Sequence, residues 1–269
     1  MQYPVRVLAS ALVVFSTVPG VVVAQSADQR DLAKQLSNPV ASLISVPFQF
    51  NLDEGLGALD EGSKTTINLQ PVVPFSLNDD WNLISRTIIP YISQDDVTGP
   101  GESQSGLGDV VQSFFFSPKA PTDSGWIWGA GPVVYLPLGS DNFSANQWGL
   151  GVTGVALRQQ NGWTYGALAN HVWGIDPDDG DDAINATFVQ PFLTYTTPDA
   201  WTFSLNTEST YDWNAEEWAV PVNFTVSKLL TVGEQPISLA AGIRHWMDSP
   251  EGGPEGTAYR LAVTFLFPT

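Results

Sequence analysis

The stretch AWTFSLNTESTYDWNAEEWAVPVNFTVSKL, residues 200–229, decides the fold. Read in steps of two, Trp201, Phe203, Leu205, Thr207, Ser209 and Tyr211 alternate with Thr202, Ser204, Asn206, Glu208, Thr210 and Asp212. That is an unbroken period of two at strand length. After a turn over residues 213–217 the pattern resumes. Trp218, Val220, Val222, Phe224 and Val226 fall on one face, and Ala219, Pro221, Asn223, Thr225 and Ser227 on the other. A soluble sandwich would alternate as well, but here each apolar row begins or ends in Trp or Tyr. Such aromatics suit the headgroup level on either side of a bilayer, so the hairpin reads as two staves of a transmembrane β-barrel.

Outward from this hairpin, strand-like segments recur at 42–52, 64–76, 80–93, 106–118, 125–138, 147–159, 162–174, 184–196, 200–212, 218–229, 235–248 and 257–267. They predict a twelve-stranded, antiparallel, up-and-down barrel over residues 41–269, an even count of staves long enough to cross at a tilt. With the N-terminus on the periplasmic side, the odd connections lie outside and are the longer ones, as expected for this class. Most of the 28 acids flank those outer connections, among them Asp53, Asp60, Asp95, Asp96, Glu216, Glu217 and the run Asp176–Asp182, with Lys64 the basic residue beside them. The ten Trp split in two: Trp81, Trp126, Trp128, Trp163 and Trp201 at inner strand ends, and Trp148, Trp173, Trp213, Trp218 and Trp246 at outer ones. Two aromatic belts are the expected pattern at two interfaces.

Composition agrees and excludes several functions. The hydrophobic fraction is 43%, the charged fraction 14%, and Gly 24 with Pro 20 punctuates the chain too often for long helices. The chain has no Cys and two His, which rules out thiolate chemistry and Cys-ligated metal and argues against a His-rich centre. A net charge of -18 disfavours nucleic acid as a partner. Arg6 followed by an apolar run to Phe15 and by Val22-Val23-Ala24 reads as a secretory signal over residues 1–24. A short helix over residues 27–37, with Ser26 as its cap and Pro39 closing it, is expected within a periplasmic tail or plug at 25–40. Its apolar edge, Leu32 and Leu36, is narrow.

The alternation points specific side chains inward: Asn68 and Gln70, Asn206 and Glu208, Asn223, Arg244 and Arg260. Arg86 joins them, because facing lipid near the midplane would cost it about 2–4 kcal/mol. These eight are the expected lumen-lining or solute-binding residues, with Glu208 paired to Arg244 or Arg260. No catalytic residue is assigned. His171 lies near the outer rim with no nucleophile motif beside it, and His245 falls on the lipid side. The loop Asp176-Pro177-Asp178-Asp179-Gly180-Asp181-Asp182 lacks the spaced ligands and terminal Glu of a calcium hand, so no metal and no cofactor is expected.

Several phrases together carry a resemblance: LSNPVASLISVPFQFN at 36–51, LNDDWNLISRTIIPYISQ at 77–94, QSGLGDVVQSFFFSPKAP at 104–121, the stretch at 205–230, and GPEGTAYRLAVTFLFP at 253–268. The chain resembles the Gram-negative outer-membrane proteins described as transporters and related to the family named for the meta-pathway of phenol degradation. The resemblance covers nearly all of the chain after the signal. It implies an outer-membrane barrel that transports small, aromatic molecules. The weak alternation of the third to eighth strands, which puts apolar side chains in the lumen, suits weakly polar or aromatic solutes, and membrane lipid, lipopolysaccharide and the barrel assembly machinery are the other expected partners. The resemblance brings no agreed site residues. Phe267 is followed by Pro268 and Thr269, a departure from the aromatic that commonly ends such chains. The alternatives are an outer-membrane enzyme acting on lipid and a closed structural barrel.

Overall fold

The computed structural model describes residues 24–175, 177 and 182–268. The expected signal segment lies outside them except for Ala24, and so does most of the acidic run after Ile175. One helix, α1 (Ala24–Leu36), precedes fifteen strand segments. These are β1 (Ile44–Leu56), β2 (Gly62–Leu69), β3 (Val72–Ser76), β4 (Trp81–Asp95), β5 (Ser103–Leu107), β6 (Val110–Pro118), β7 (Trp126–Leu136) and β8 (Trp148–Gln160). They continue with β9 (Trp163–Ile175), β10 (Asn185–Thr196), β11 (Trp201–Thr207), β12 (Ser209–Asp212), β13 (Glu217–Val232), β14 (Gln235–Asp248) and β15 (Thr257–Phe267). With β2 and β3, β5 and β6, and β11 and β12 each taken as one interrupted stave, every stave pairs antiparallel with its neighbours in the chain, and β15 returns to pair with β1, so the sheet closes into a twelve-stave barrel. Closure leaves no unpaired edge, which is what lets strands cross lipid.

Three staves are interrupted, each where the ladder meets a residue that cannot fill its place. Between β2 and β3 stands Pro71, whose carbonyl accepts the Thr87 amide while its own nitrogen has no proton to give. Between β5 and β6 the register slips at Gly108 and Asp109, next to Pro90. Between β11 and β12 the break falls on Glu208, because the residue across from it is Pro221. Glu208 still donates its amide to the Pro221 carbonyl, at 3.4 Å, but receives no N–H in return.

The interior has two unlike walls. Ile84, Phe115, Val155, Leu157 and Leu168 point inward from β4, β6, β8 and β9 and form a buried apolar cluster with Val40, which comes from the segment leading into β1. Gly129 makes room for that segment: a Cβ there would stand 3.1 Å from the Val40 side chain and 3.2 Å from Phe115. The opposite wall, from β13, β14, β15, β1 and β2, is polar and charged. At the end where the chain enters β1, α1 sits across the mouth. Leu32, Ala33 and Leu36 pack against Leu43, Ala200, Leu229 and Leu266, and Gln159 from β8 donates to the Lys34 carbonyl at 2.8 Å.

Three sequence expectations need correction here. The helix starts at Ala24, ahead of its expected cap at Ser26. Strands β1 and β2 run further outward than the pattern suggested, to Leu56 and from Gly62, which draws Asp53 out of the outer connection and into the wall and sets Lys64 inside its strand and not at the strand's first residue. Trp126, Trp128, Trp148, Trp163, Trp173, Trp201, Trp213 and Trp218 are exposed, as belt residues should be. Trp246 is not a belt residue. It shares the inward face of β14 with Arg244 and gives its indole N–H to Asp53 at 2.9 Å.

Candidate functional site

The polar wall is organised around Glu208. Its Oε1 accepts from Arg260 Nη1 at 2.9 Å, and its Oε2 accepts from Arg260 Nη2 at 2.7 Å and from Arg244 Nη2 at 2.9 Å. The pairing with Arg260 is the fork-to-carboxylate geometry in which a guanidinium binds most directionally. The missing rung opposite Pro221 places this carboxylate at the wall. Arg260 sits on β15 and Arg244 on β14, so one acid ties together strands that the chain brings round from its far end.

Each arginine is fixed a second time from its own side. Arg260 Nε donates to Asn51 Oδ1 at 2.7 Å, and Arg244 Nε to Asn223 Oδ1 at 3.2 Å. Asn223 in turn donates to Asn206 Oδ1 at 2.8 Å. Arg244 Nη1 lies 3.4 Å from Asp53 Oδ2, and its guanidinium carbon is 4.9 Å from the centre of the Trp246 ring. Asp53, Asn223 and Arg260 are 1%, 1% and 5% exposed, so the strip is a desolvated network and every member has partners. Buried charges persist only on such terms.

Of the eight expected residues, the structure joins Glu208, Arg244, Arg260, Asn206 and Asn223 in one network. Arg86 and Gln70 form a separate pair, with Arg86 Nη2 donating to Gln70 Oε1 at 3.2 Å. Asn68 lies on the same face of β2 but makes no side-chain hydrogen bond among the described residues. Sequence reasoning missed Asn51, Asp53, Lys64 and Trp246. The signal for Asn51 and Asp53 was present, since both continue the inward phase of Ser45, Pro47 and Gln49, but an acid beside a turn reads as a loop residue.

On the outer surface, His171 faces lipid near the rim away from α1. Its Nδ1 is 2.7 Å from Thr187 Oγ1, the same oxygen that accepts the Trp213 indole N–H at 2.8 Å, and its ring lies 4.2 Å from that of Trp173. Its Nε2 has no partner. At the outer mouth, Asp109 takes the amides of Gly139 and Ala145 and the Ser144 hydroxyl, which fastens the connection between β7 and β8 over the break in the fourth stave. Among the described residues no group of three or more potential ligands is placed to hold a metal. No helix among them is long and apolar enough to cross a membrane.

No protein-family model matches the chain, and no curated protein matches it. Solved structures do. The chain is similar to an outer membrane channel from Pseudomonas putida F1, at 15% identity and a TM-score of 0.65, over 84% of this chain and 94% of that one. It is also similar to outer membrane phospholipase A from Escherichia coli, at 11% identity and a TM-score of 0.50, over 83% and 90%. The NanC porin follows at 12% identity and a TM-score of 0.49, over 84% and 100%. At these identities the likeness is one of fold, and the fold is that of outer-membrane β-barrels.

Proposed function

We propose that the chain is an outer-membrane channel for passive passage of small, weakly polar or aromatic solutes. The observation that carries this reading is the two-sided interior. An ion-paired strip, Glu208 with Arg244 and Arg260, stands across the barrel from an apolar wall of Ile84, Phe115, Val155, Leu157 and Leu168. A barrel that only filled itself with side chains would have no need of charges whose desolvation is costly, and ionisable groups at membrane depth line pathways by default. A solute with one polar end and an apolar body matches such a lining. The fold shared with the Pseudomonas putida channel supports the same reading, as does the resemblance to the transporter family related to the meta-pathway of phenol degradation.

A lipid-acting enzyme is the rival, and His171 with Thr187 is its one geometric argument. A hydroxyl nucleophile needs a base that a third group orients. Here Nε2 is unpartnered and the Thr187 oxygen is already engaged by Trp213, so the pair reads as part of the aromatic rim. Reconstitution separates the readings. Liposomes carrying the refolded barrel should swell in small neutral and aromatic solutes and lose that permeability as solute size rises. Failure to swell in every solute would leave a closed barrel, and phospholipid hydrolysis abolished by His171→Ala would move the chain to the enzymes.

A further inference from the structure

Three arginines point into this barrel, and they are not equivalent. Arg244 and Arg260 spend their donors on Glu208, Asp53, Asn223 and Asn51. Arg86, inward from β4 between the apolar Ile84 and Ile88, has no carboxylate within ion-pair distance among the described residues, and its one side-chain hydrogen bond goes to the neutral amide of Gln70. A guanidinium carries five N–H donors, so most of its capacity is unspent. Beside it lies a cavity of about 170 Å³, where the segment after α1 stands off the wall formed by β1, β3, β4 and β10. The polar contributors are Arg86, Gln70, Gln190 and Ser45 from the wall and Gln35 and Asn38 from the N-terminal segment. The rest of the lining is apolar, with Leu43 and Val72 prominent.

We infer that this cavity is a binding site for a small monocarboxylate with a short apolar body, held by Arg86. The planar guanidinium matches a carboxylate in two parallel charge-assisted bonds, a match that an amide or an ammonium does not offer. Gln70 already fixes Arg86 from one side and leaves its other edge for a ligand, while Gln190 supplies a neutral amide across the cavity. The volume is below the 300–1,000 Å³ of pockets that take drug-sized ligands, so the occupant is small. The half-apolar lining separates such an acid from a fully hydrated anion such as phosphate, and the positive charge separates it from an amine. Because Gln35 and Asn38 belong to the segment that closes the mouth at which the chain enters β1, the occupant would touch both that segment and the barrel wall. The inference deepens the channel reading and rests on it for how the solute arrives.

Binding tests it without conductance. Radiolabelled benzoate is dialysed to equilibrium against the full chain refolded in detergent, with benzamide as a neutral probe of the same shape. The expected result is saturable benzoate binding, benzamide at least tenfold weaker, and a loss of tenfold or more in Arg86→Gln, with Arg86→Lys between the two. Arg158→Gln, on the outer face, should bind as the parent does. Equal affinity for benzoate and benzamide, an unchanged Arg86→Gln, or no saturable binding to the parent would each overturn the site. Heat-modifiable mobility on a gel checks that Arg86→Gln is folded; if it is not, the benzoate against benzamide comparison on the parent and on Gln190→Ala decides. A parent that binds benzoate but passes no solute would refute the channel and leave the site standing. One that conducts but does not bind would refute the site alone.

Discussion

Glu208 is where backbone and charge meet. Pro221 removes one rung of the ladder, the gap sets Glu208 at the wall, and three charge-assisted bonds then couple the stave formed by β11 and β12 to β14 and β15. Glu208→Gln removes the charge but keeps the shape, leaving two guanidiniums facing each other without their common acid. Breaking a buried pair from one side costs about 3–5 kcal/mol. The Glu208 side chain is 19% exposed, so a loss near the lower end is expected in reversible urea unfolding from lipid vesicles. The double variant Glu208→Gln with Arg244→Gln should cost less than the sum of the two singles, and strict additivity would mean that the network is not coupled. A second test at this scale concerns the lipid face. Phe224, exposed and outward at the middle of β13, should destabilise the barrel by about 2–4 kcal/mol as Phe224→Arg, and Phe224→Leu should be close to neutral. Asn223 next to it cannot serve as the mild inward control that alternation alone suggests, since it is packed between Asn206 and Arg244 and an arginine there would meet a like charge.

At the scale of elements, α1 and the chain from 37 to 43 act as one insert. Leu32, Ala33 and Leu36 cover the mouth at which the chain enters β1, and Val40 reaches the apolar cluster inside the barrel. Deleting residues 28–41 should therefore raise unit conductance several-fold in planar bilayers while the barrel still inserts. An unchanged conductance would mean that the narrowest point lies elsewhere, at the ion-paired strip or the connection fastened by Asp109. The Leu32 and Leu36 edge was visible in the sequence, but its target was not, because a narrow apolar stripe does not say which distant strands it meets. The twelve staves were legible wherever one face is polar, as in β11 to β15. They were blurred from β4 to β10, where inward Ile84, Phe115, Val155, Leu157 and Leu168, with Phe188 and Phe192 packed against them, make both faces apolar and erase the period of two. Asp53 and Trp246 were misplaced for the converse reason. Their phase pointed inward, but residue type argued for a loop and a belt, and in a closed barrel phase outranks type.

For the whole molecule the decisive feature is an opposition of charge along the barrel axis. The outer connections expose Asp60, Glu61, Asp95, Asp96, Glu216, Glu217, Glu251 and Glu255, whereas the interior wall holds Arg86, Arg244, Arg260 and Lys64 against Glu208 and Asp53. In the proposed channel an ion entering from that rim would meet negative charge first and the net positive strip afterwards. The rim is solvated and acts through the bulk electrolyte, over about 30 Å at 0.01 M salt but only about 3 Å at 1 M. The interior charges lie in a narrow space that salt screens far less. Reversal potentials across a salt gradient should therefore show cation preference at low ionic strength, which fades and turns toward anions as salt is raised. Uptake of a small carboxylate should quicken over the same range, and uptake of a neutral solute of equal size should not change. Neutralising the rim, with Asp95→Asn, Asp96→Asn, Glu216→Gln and Glu217→Gln combined, should shift the crossover to lower salt. Arg86→Gln should push it higher. A cation preference of constant size from 0.01 M to 1 M would place the selecting charge inside the barrel and carry the wrong sign for these arginines, and the ordering of rim before constriction would then be wrong.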